Sequence, residues 1–493
     1  MVQNSCWEEG TKHQWILCAN DNSPLDILQE KVNIDDLLYS NHDEPVNLGI
    51  RRINGRVYSG NYVGLCRLKD TSGKVVFSSD GREVILKIEP RFNISVVEML
   101  NILRDDDEFE RYLAPQTMRI GDAPKEMDDL MCNELFYFFD TEDPVYVKDH
   151  VALNSSIITA SAFLSLLKNL CNRPLMGKML CQEKNLVGKV KGKVLFKKNI
   201  RSNTLHGRDD RVYCRYLQYS EDILENQVLK AALHKAELFL NRYFGSATGA
   251  KNTFRTMVAY CQNTLAHVSR TKISRQDLSK IKTTGCYAYY KPVINVAKMV
   301  LNEISIEANG QTQFTSYVVP YAVSMSKLFE MYVRAYLKKS GIKSFSSQDN
   351  SPRMLQYDYK AKILLQSGEA FSSYINGNIK PDIILYNPQN DKYVVFDVKY
   401  KNLSNNRYSR EDRLQLLAYS MMYNCENVGI VFPTIGENGN MYYEKNEIQS
   451  IEERQRFFNQ LELSINTTIS LELCGKKDGL LVPTYQYIMG LLQ

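Results

Sequence analysis

The sequence predicts a multidomain α+β protein with three parts: an N-terminal β-rich module, a mixed middle region and a C-terminal α/β domain with a central mixed sheet. Its 493 residues are enough for about three domains of roughly 150 residues each. Its 44% hydrophobic and 24% charged residues are typical of globular proteins. The spacing of apolar residues also changes along the chain between the period of strands and the period of helices.

The first part, residues 1–115, is predicted to be a β-rich module that ends in a helix. Residues 45–90 alternate apolar and polar side chains and contain turn dipeptides such as Asn54-Gly55 and Asp80-Gly81. After Ser95 the apolar residues follow a helical spacing. We interpret this module as a DNA-reading or docking domain.

The second part, residues 116–315, is predicted to be a mixed, mainly helical region. Helical patterns cover 155–172, 221–243 and 288–303. Between the first two lies a strand-like basic stretch, which we interpret as part of a hairpin over 188–216.

This basic segment carries nine Lys or Arg against two Asp, a local charge of +7, whereas the whole chain carries only +5. Three interpretations remain open: contact with the DNA phosphate backbone, a projection that meets a partner protein, or a solvated hairpin edge protected by lysines. On a strand, the alternating lysines at 189, 191 and 193 would share one face. The candidate contact residues are Lys189, Lys191, Lys193, Lys197, Lys198 and Arg201.

The cysteines and the apolar runs indicate the compartment. Eleven Cys without a C-x-x-C pair indicate reduced thiols rather than a disulfide framework or a zinc ribbon. No signal-peptide pattern opens the chain, and the longest mostly apolar run, Ile157 to Leu167, is shorter than the ~20 residues of a membrane helix. We expect a soluble, cytoplasmic protein that does not bind a membrane.

The sequence lacks the common nucleotide-binding loops, and its C-terminal part lacks histidine. The chain has neither a G-x-x-x-x-G-K-[ST] loop nor a G-x-G-x-x-G sequence after a strand. We therefore expect that it binds no nucleotide and that a partner supplies any energy from nucleotide hydrolysis. All six His precede residue 268, so a site in the C-terminal part must work without histidine.

The third part, residues 316–493, contains the most informative cluster. Strand patterns at 359–366, 382–387 and 392–400 place Asp382 at the start of one strand and Asp397 and Lys399 on the next. Residues i and i+2 of a strand share a face, so Asp397 and Lys399 project together. Acids in such an apolar strand are costly to desolvate unless they hold a cation, and carboxylates suit Mg²⁺ or Mn²⁺.

Two predicted helices add polar side chains to this cluster. On the helix predicted over 324–339, Glu330 lies at the edge of an apolar stripe and could reach the same metal. On the helix near 410–423, Gln415 and Tyr419 share one face and are expected to support the site. The simpler interpretation is that Asp382 merely begins a strand while Asp397 pairs with its neighbouring lysine at the surface.

The order of helix Glu, strand Pro-Asp, strand Asp-x-Lys and Gln-x-x-x-Tyr helix resembles the PD-(D/E)xK nuclease superfamily. The resemblance implies a restriction-endonuclease-like domain that hydrolyses phosphodiester bonds in duplex DNA with a metal ion. It also implies that Asp382, Asp397 and Lys399 are catalytic and that Glu330 joins the two aspartates as a metal ligand.

Further segments are similar to McrC, the nuclease subunit of McrBC-type restriction systems that defend against phage by cutting DNA with modified cytosine. They occur in the family's order over residues 88–433, and the module before residue 88 lies outside the resemblance. The resemblance implies an AAA+ GTPase ring as partner, whose hydrolysis the chain stimulates through a projecting segment. The similar segments are 88–105, Val190–Arg201 with its Gly-Lys-Val-Leu-Phe sequence, Glu225–Lys230, Met325–Tyr332 and the strands with the acids.

Two other functions remain open. The chain could be a non-cutting adaptor that docks on an AAA+ motor and stimulates it, although the intact set of acids and lysine favours a nuclease. It could also be a restriction endonuclease whose N-terminal module reads an unmodified sequence of its own.

Overall fold

A computed structural model defines the fold of the 493-residue chain. The structure describes residues 5–9, 13–40, 44–92, 95–103, 116–117, 135–139, 145–146, 149–244, 253–281, 285–306, 312–314, 317–318, 320–339, 341–344, 352–355, 381–401, 409–423, 425, 427–434, 459–466, 473–477, 480–483 and 489–493. The strand predicted at 359–366 lies outside these residues.

The described residues form strands and helices throughout the chain. The strands are β1 (Ser5–Glu9), β2 (Gln14–Asn20), β3 (Arg51–Ile53), β4 (Arg56–Tyr58), β5 (Tyr62–Arg67), β6 (Glu83–Glu89), β7 (Gln116–Thr117), β8 (Phe136–Phe138), β9 (Val145–Tyr146), β10 (Lys178–Val187), β11 (Lys193–Val194), β12 (Arg211–Ser220), β13 (Ile304–Ile306), β14 (Thr312–Phe314), β15 (Tyr317–Val318), β16 (Tyr321–Ser324), β17 (Lys343–Ser344), β18 (Arg353–Met354), β19 (Ile383–Asn387), β20 (Lys392–Val398), β21 (Asn427–Thr434), β22 (Asn459–Asn466), β23 (Leu473–Lys477) and β24 (Leu480–Pro483). The α-helices are α1 (Val96–Leu103), α2 (Asp149–Cys171), α3 (Phe196–Ser202), α4 (Leu224–Phe244), α5 (Thr253–Thr264), α6 (Arg275–Ser279), α7 (Lys291–Glu303), α8 (Met325–Lys339) and α9 (Arg410–Tyr423).

Most predicted helices are confirmed within a few residues. The helical spacing after Ser95 forms α1, and the patterns at 221–243 and 410–423 form α4 and α9. The helix predicted at 155–172 begins earlier, at Asp149. The mixed α+β class is confirmed.

The chain divides into two compact units, one made of residues 1–143 with 320–493 and the other of residues 144–319. The three-part division at 115 and 315 stays a prediction. Strand β16 lies beyond the predicted boundary at 315, yet it pairs with β5 in the sheet of the N-terminal module. No helix among the described residues is long and apolar enough to cross a lipid bilayer.

The N-terminal module is strand-rich, as predicted, and is built on a seven-stranded mixed sheet in the order β1-β2-β6-β5-β16-β8-β7. Its first two strands precede residue 45 and were not predicted from the sequence. Strand β16 pairs antiparallel with both β5 and β8. Because α8 begins at the next residue, Met325, this sheet determines where the helix that carries Glu330 starts.

Gly64 lets β5 and β16 approach closely. A Cβ atom at this position would lie only 2.1 Å from the carbonyl oxygen of Tyr321 on β16. We expect Gly64→Ala to lower the free energy of unfolding by about 3 kcal/mol, because the clash is with rigid backbone. Thermal unfolding followed by circular dichroism measures the effect.

Gly55→Ala is the matched control for this substitution. Gly55 has φ +80°, and no heavy atom lies within 4 Å of the place that a Cβ atom would take. Alanine there adds only local backbone strain of about 1 kcal/mol. Equal losses of stability in the two variants would contradict the importance of the β5–β16 contact.

The C-terminal part contains the predicted mixed sheet, with eight strands in the order β17-β18-β19-β20-β21-β22-β23-β24. Strands β19 and β20 are antiparallel, whereas β20 and β21 are parallel. The connection between parallel strands needs a crossover, and α9 provides it. The apolar side of α9, with Leu416 and Tyr419, joins Val395 and Ile430 of the sheet in one buried cluster.

The second unit, residues 144–319, contains packed helices, a three-stranded sheet and the two-stranded sheets β13-β14 and β15-β9. Helices α2, α4, α5 and α7 pack against one another. The three-stranded sheet, in the order β10-β12-β11, belongs to a segment over 178–220 that we call the hairpin.

One prediction about the hairpin is wrong. Lys189 and Lys191 do not lie on a strand with Lys193, because β10 ends at Val187 and β11 begins only at residue 193. The intervening turn contains Gly188 and Gly192, both with positive φ, a conformation that glycine adopts at little cost. Beyond β11, residues 196–202 form helix α3 rather than more strand.

Candidate active site

Asp382 and Asp397 come side by side through the register of β19 and β20. Ile383 pairs with Phe396 in this antiparallel pair. Asp382 precedes Ile383 and Asp397 follows Phe396, so the two aspartates lie next to each other at the same end of the strand pair. Val394, Val395 and Phe396 are fully buried, as expected for a strand between two neighbours. Asp397 is only 2% exposed.

The backbone at this end of the sheet holds Asp382 in place. The amide of Val398 donates a hydrogen bond to its carboxylate Oδ2 at 2.6 Å. Arg334 of α8 donates from Nη1 to the carbonyl oxygen of Asp382, also at 2.6 Å. Arg334 lies one turn after Glu330, so this contact ties the helix that carries Glu330 to the start of β19.

Burial raises the pKa of Asp382 well above its usual range, and the negative charges of Glu330 and Asp397 raise it further. Asp382 is therefore close enough to both Glu330 and Asp397 to be repelled by their charges. A cation between them would relieve this repulsion.

Lys399 and Asp397 form an ion pair with 2.7 Å between Nζ and Oδ2. Burial alone would lower the pKa of the Lys399 ammonium, but the charges of Asp397 and Asp382 outweigh it and the pKa is raised. Lys399 therefore carries its positive charge at neutral pH, beside the two aspartates.

Gln415 and Tyr419 lie on one face of α9, as their spacing predicts, and both contact Asp397. Gln415 accepts a hydrogen bond from Lys399 Nζ at 3.1 Å and donates from Nε2 to Asp397 Oδ1 at 3.2 Å. Its Nε2 also lies 2.7 Å from the hydroxyl of Tyr419, which donates to Asp397 Oδ1 at 3.5 Å. Gln415 thus contacts both members of the ion pair and sets their orientation.

Three further side chains hold the site and were not predicted from the sequence. Arg334 follows Glu330 by four residues, a spacing that could have indicated a shared helix face. Lys401 pairs with Asp412, which caps the start of α9 by accepting from the amide of Ser409 at 3.2 Å. The spacing Ser409-x-x-Asp412 is that of a helix capping box and could have indicated Asp412, with the reciprocal bond from the Asp412 amide to Ser409 Oγ at 3.1 Å. No short motif marks Lys401, because its contact with Asp412 depends on how α9 packs on the sheet.

The chemistry of the donor set fits a hard divalent cation. Carboxylate oxygens, such as those of these three acids, are the donors that Mg²⁺ and Mn²⁺ prefer. Among the described residues, donor atoms that already lie within 4.8 Å of one another are those of Cys6, Glu8 and Cys18, at another place in the fold. The assignment of Glu330, Asp382 and Asp397 as metal ligands stays a prediction.

The hairpin is the second candidate surface, and part of its positive charge is paired internally. Lys198 and Arg215 both pair with Glu183, and the ammonium of Lys191 lies 4.5 Å from the centre of the Tyr216 ring. The contact roles of the six basic residues stay predictions.

The hairpin also exposes apolar side chains that the sequence pattern did not single out. Eight of the thirteen exposed large hydrophobic residues in the described part of the chain lie on it, and Phe196 and Leu205 are each 73% exposed. The eight are Met179, Val187, Val190, Phe196, Ile200, Leu205, Leu217 and Tyr219. Clustered exposed apolar groups mark surfaces that bind proteins.

Comparison with known proteins gives one family match that covers most of the chain. The model of the McrBC 5-methylcytosine restriction system component matches residues 59–433. The match begins before residue 88, so it includes part of the N-terminal module, which lies outside the resemblance seen in the sequence. Among curated proteins, none matches the sequence.

The solved structures that are similar to this chain include two McrBC assemblies. One is a half-complex from a tetradecameric assembly of Thermococcus gammatolerans McrB AAA+ hexamers with bound McrC, with 15% identity, a TM-score of 0.36, and coverage of 92% of this chain and 96% of that chain. The other is the Thermococcus gammatolerans McrBC complex, with 14% identity, a TM-score of 0.26, and coverage of 67% of this chain and 89% of that chain.

Proposed function

The chain belongs to the family of the McrBC 5-methylcytosine restriction system component, and from this premise we propose that it is a metal-dependent endonuclease subunit. It cuts duplex DNA that carries modified cytosine, together with an AAA+ GTPase partner whose hydrolysis it stimulates. The C-terminal domain is a PD-(D/E)xK nuclease domain, and the resident ion is Mg²⁺ or Mn²⁺.

One observation carries this proposal. Asp382 and Asp397 lie side by side, and the ammonium of Lys399 is 2.7 Å from the Asp397 carboxylate. The simpler interpretation, a strand start and a surface ion pair, does not account for an aspartate that is 2% exposed or for the hydrogen bonds from Gln415. Burying two acids at the same end of a strand pair costs free energy of desolvation, so a functional site is the better explanation.

Each residue has a distinct role in the proposed reaction. Asp382 and Asp397, with Glu330, would hold the ion, which when bound polarises the phosphate and lowers the pKa of a water molecule. Lys399 orients the attacking water and stabilises the negative charge that develops on the phosphate. Gln415 restricts the ammonium of Lys399 to the side of Asp397, so that the group is in place before DNA arrives.

The hairpin is the surface that we propose for the AAA+ partner. Its exposed apolar side chains suit the desolvated centre of a protein interface, whereas DNA phosphates would favour unpaired Lys and Arg. Phe196 and Ile200 are one turn apart on α3 and both are exposed, so they present one apolar face. The basic residues around this face would lie at the rim of the interface.

The experiment is a cleavage assay with this chain and an AAA+ GTPase of the McrB type. Methylated and unmethylated duplexes are compared with and without GTP, and with Mg²⁺ or EDTA. We expect cleavage that requires the partner, GTP and Mg²⁺ and that EDTA abolishes.

Two outcomes favour the alternative functions. Stimulated GTP hydrolysis without any cleavage would support the non-cutting adaptor. Equal cleavage of unmethylated DNA at a fixed sequence would support an enzyme with its own sequence specificity.

A further inference from the structure

Arg91 links the N-terminal module to the strand with the catalytic residues. It lies two residues after β6, and its guanidinium donates a hydrogen bond to the carbonyl oxygen of Tyr400, the residue that follows Lys399. The guanidinium carbon also lies 5.0 Å from the centre of the Tyr400 ring. A charged group from the N-terminal module therefore contacts both the backbone and the side chain of the residue next to Lys399.

Asp21 holds Arg91 from the other side. Asp21 is fully buried and accepts a hydrogen bond from the Arg91 amide at 2.6 Å, and its Oδ2 lies 3.5 Å from Arg91 Nε. Burial raises the pKa of Asp21 to about 6, and the charge of Arg91 opposes this rise. A buried charge pair of this kind is weak evidence for stability, so its position beside the candidate site calls for another explanation.

Aromatic side chains from the N-terminal module and from α8 pack against the ring of Tyr400. Phe92, adjacent to Arg91, meets it edge-on with 5.0 Å between ring centres. Phe329 of α8 lies 5.4 Å away and precedes Glu330 in the chain. Tyr400 is thus the point where the N-terminal module, the helix with Glu330 and the strand with Asp397 meet.

We propose that Arg91 is a positioning residue for DNA cleavage, and that the N-terminal module forms part of the nuclease site instead of acting only as a separate DNA-reading or docking domain. Arg91, held by Asp21, keeps Lys399 and Tyr400, which follow β20 directly, against α8. The spacing between Lys399, Asp397 and Glu330 depends on this contact. This inference rests on the proposed nuclease function.

The test measures single-turnover cleavage by the full complex with saturating Mg²⁺ and methylated duplex DNA. We expect Arg91→Ala to lower the rate constant about 100-fold, since a misplacement of about 1 Å can have an effect of this size. The final fraction of DNA cut should stay unchanged, because the molecules remain folded. Arg91→Lys keeps the charge beside Asp21 and should recover part of the rate.

The matched control is Arg82→Ala, in the same module. Arg82 pairs with Glu9 and Asp80 and lies over the Trp15 ring, away from the site. It should cut at the wild-type rate. A rate constant that stays at the wild-type value in Arg91→Ala, or a reduced final fraction with an unchanged rate constant, would overturn the positioning role.

Hydrogen exchange gives a readout that does not depend on cleavage. The Lys399 amide donates to the carbonyl oxygen of Val431 at 2.8 Å, so its exchange reports how firmly this end of the strand is held. We expect exchange in residues 394–401 to be at least about tenfold faster in Arg91→Ala than in Arg82→Ala. Unchanged exchange would overturn the inference by itself, whereas a wild-type complex that does not cut DNA would overturn the proposed function as well.

Discussion

Replacing Asp397 with asparagine is expected to lower the cleavage rate of the assembled complex about 1,000-fold. The substitution removes one proposed metal ligand and the negative charge that holds the Lys399 ammonium at 2.7 Å. Folding should be preserved, because asparagine has nearly the same volume and its amide oxygen can still accept from Gln415. Cleavage of methylated duplex DNA, measured with partner, GTP and Mg²⁺, gives the rate.

The control for this variant is Asp391→Asn, the same chemical change on the exposed turn between β19 and β20. Asp391 has φ +55°, which asparagine tolerates, so cleavage and stability should stay at wild-type values. Lys399→Ala should be as defective as Asp397→Asn, while both still bind the partner and stimulate GTP hydrolysis. An Asp397→Asn variant that cut at the wild-type rate would show that the assigned site is not the nuclease site.

The second large effect is expected from the hairpin. The double variant Phe196→Ser and Leu205→Ser should weaken binding of the AAA+ partner about 100-fold, because two exposed apolar anchors are lost from the proposed interface. Each side chain is 73% exposed, so the substitutions should leave the stability of the isolated chain unchanged. Sedimentation or size-exclusion analysis with partner measures binding, and the GTPase rate reports stimulation.

Phe77→Ser is the matched control, since Phe77 is 57% exposed and lies in the N-terminal module. It should bind and stimulate the partner normally. If the hairpin instead binds the DNA phosphate backbone, the double variant Phe196→Ser and Leu205→Ser would still bind the partner. The substitutions Lys189→Glu and Lys193→Glu would then weaken DNA binding and reduce its salt dependence. These two results separate the interpretations that the sequence left open.

The contacts of the N-terminal module change the interpretation of its role. From the sequence it was interpreted as a DNA-reading or docking domain, because the part before residue 88 lies outside the resemblance to McrC. In the structure, β16 pairs with β5 and α8 begins immediately afterwards, while Arg91 contacts the residue after Lys399. The family match begins at residue 59 and so includes β5, β6 and Arg91.

The sequence alone determined those features that depend on neighbours along the chain. Helical spacing predicted α4, α8 and α9, and the i, i+4 pair Gln415 and Tyr419 does share one face. The i, i+2 spacing correctly placed Asp397 and Lys399 together. Such spacings report which side of a helix or strand a residue occupies, and this geometry holds wherever the element packs.

Only the tertiary structure decided which of these elements meet. The β19–β20 register sets Asp382 beside Asp397, the α9 crossover brings Gln415 to Asp397 and Lys399, and Arg91 reaches Tyr400 from more than 300 residues away in sequence. Conversely, the alternating lysines at 189–193 resembled a strand, but glycines with positive φ turn the chain there. Register and packing depend on contacts between distant residues, and a local pattern does not contain that information.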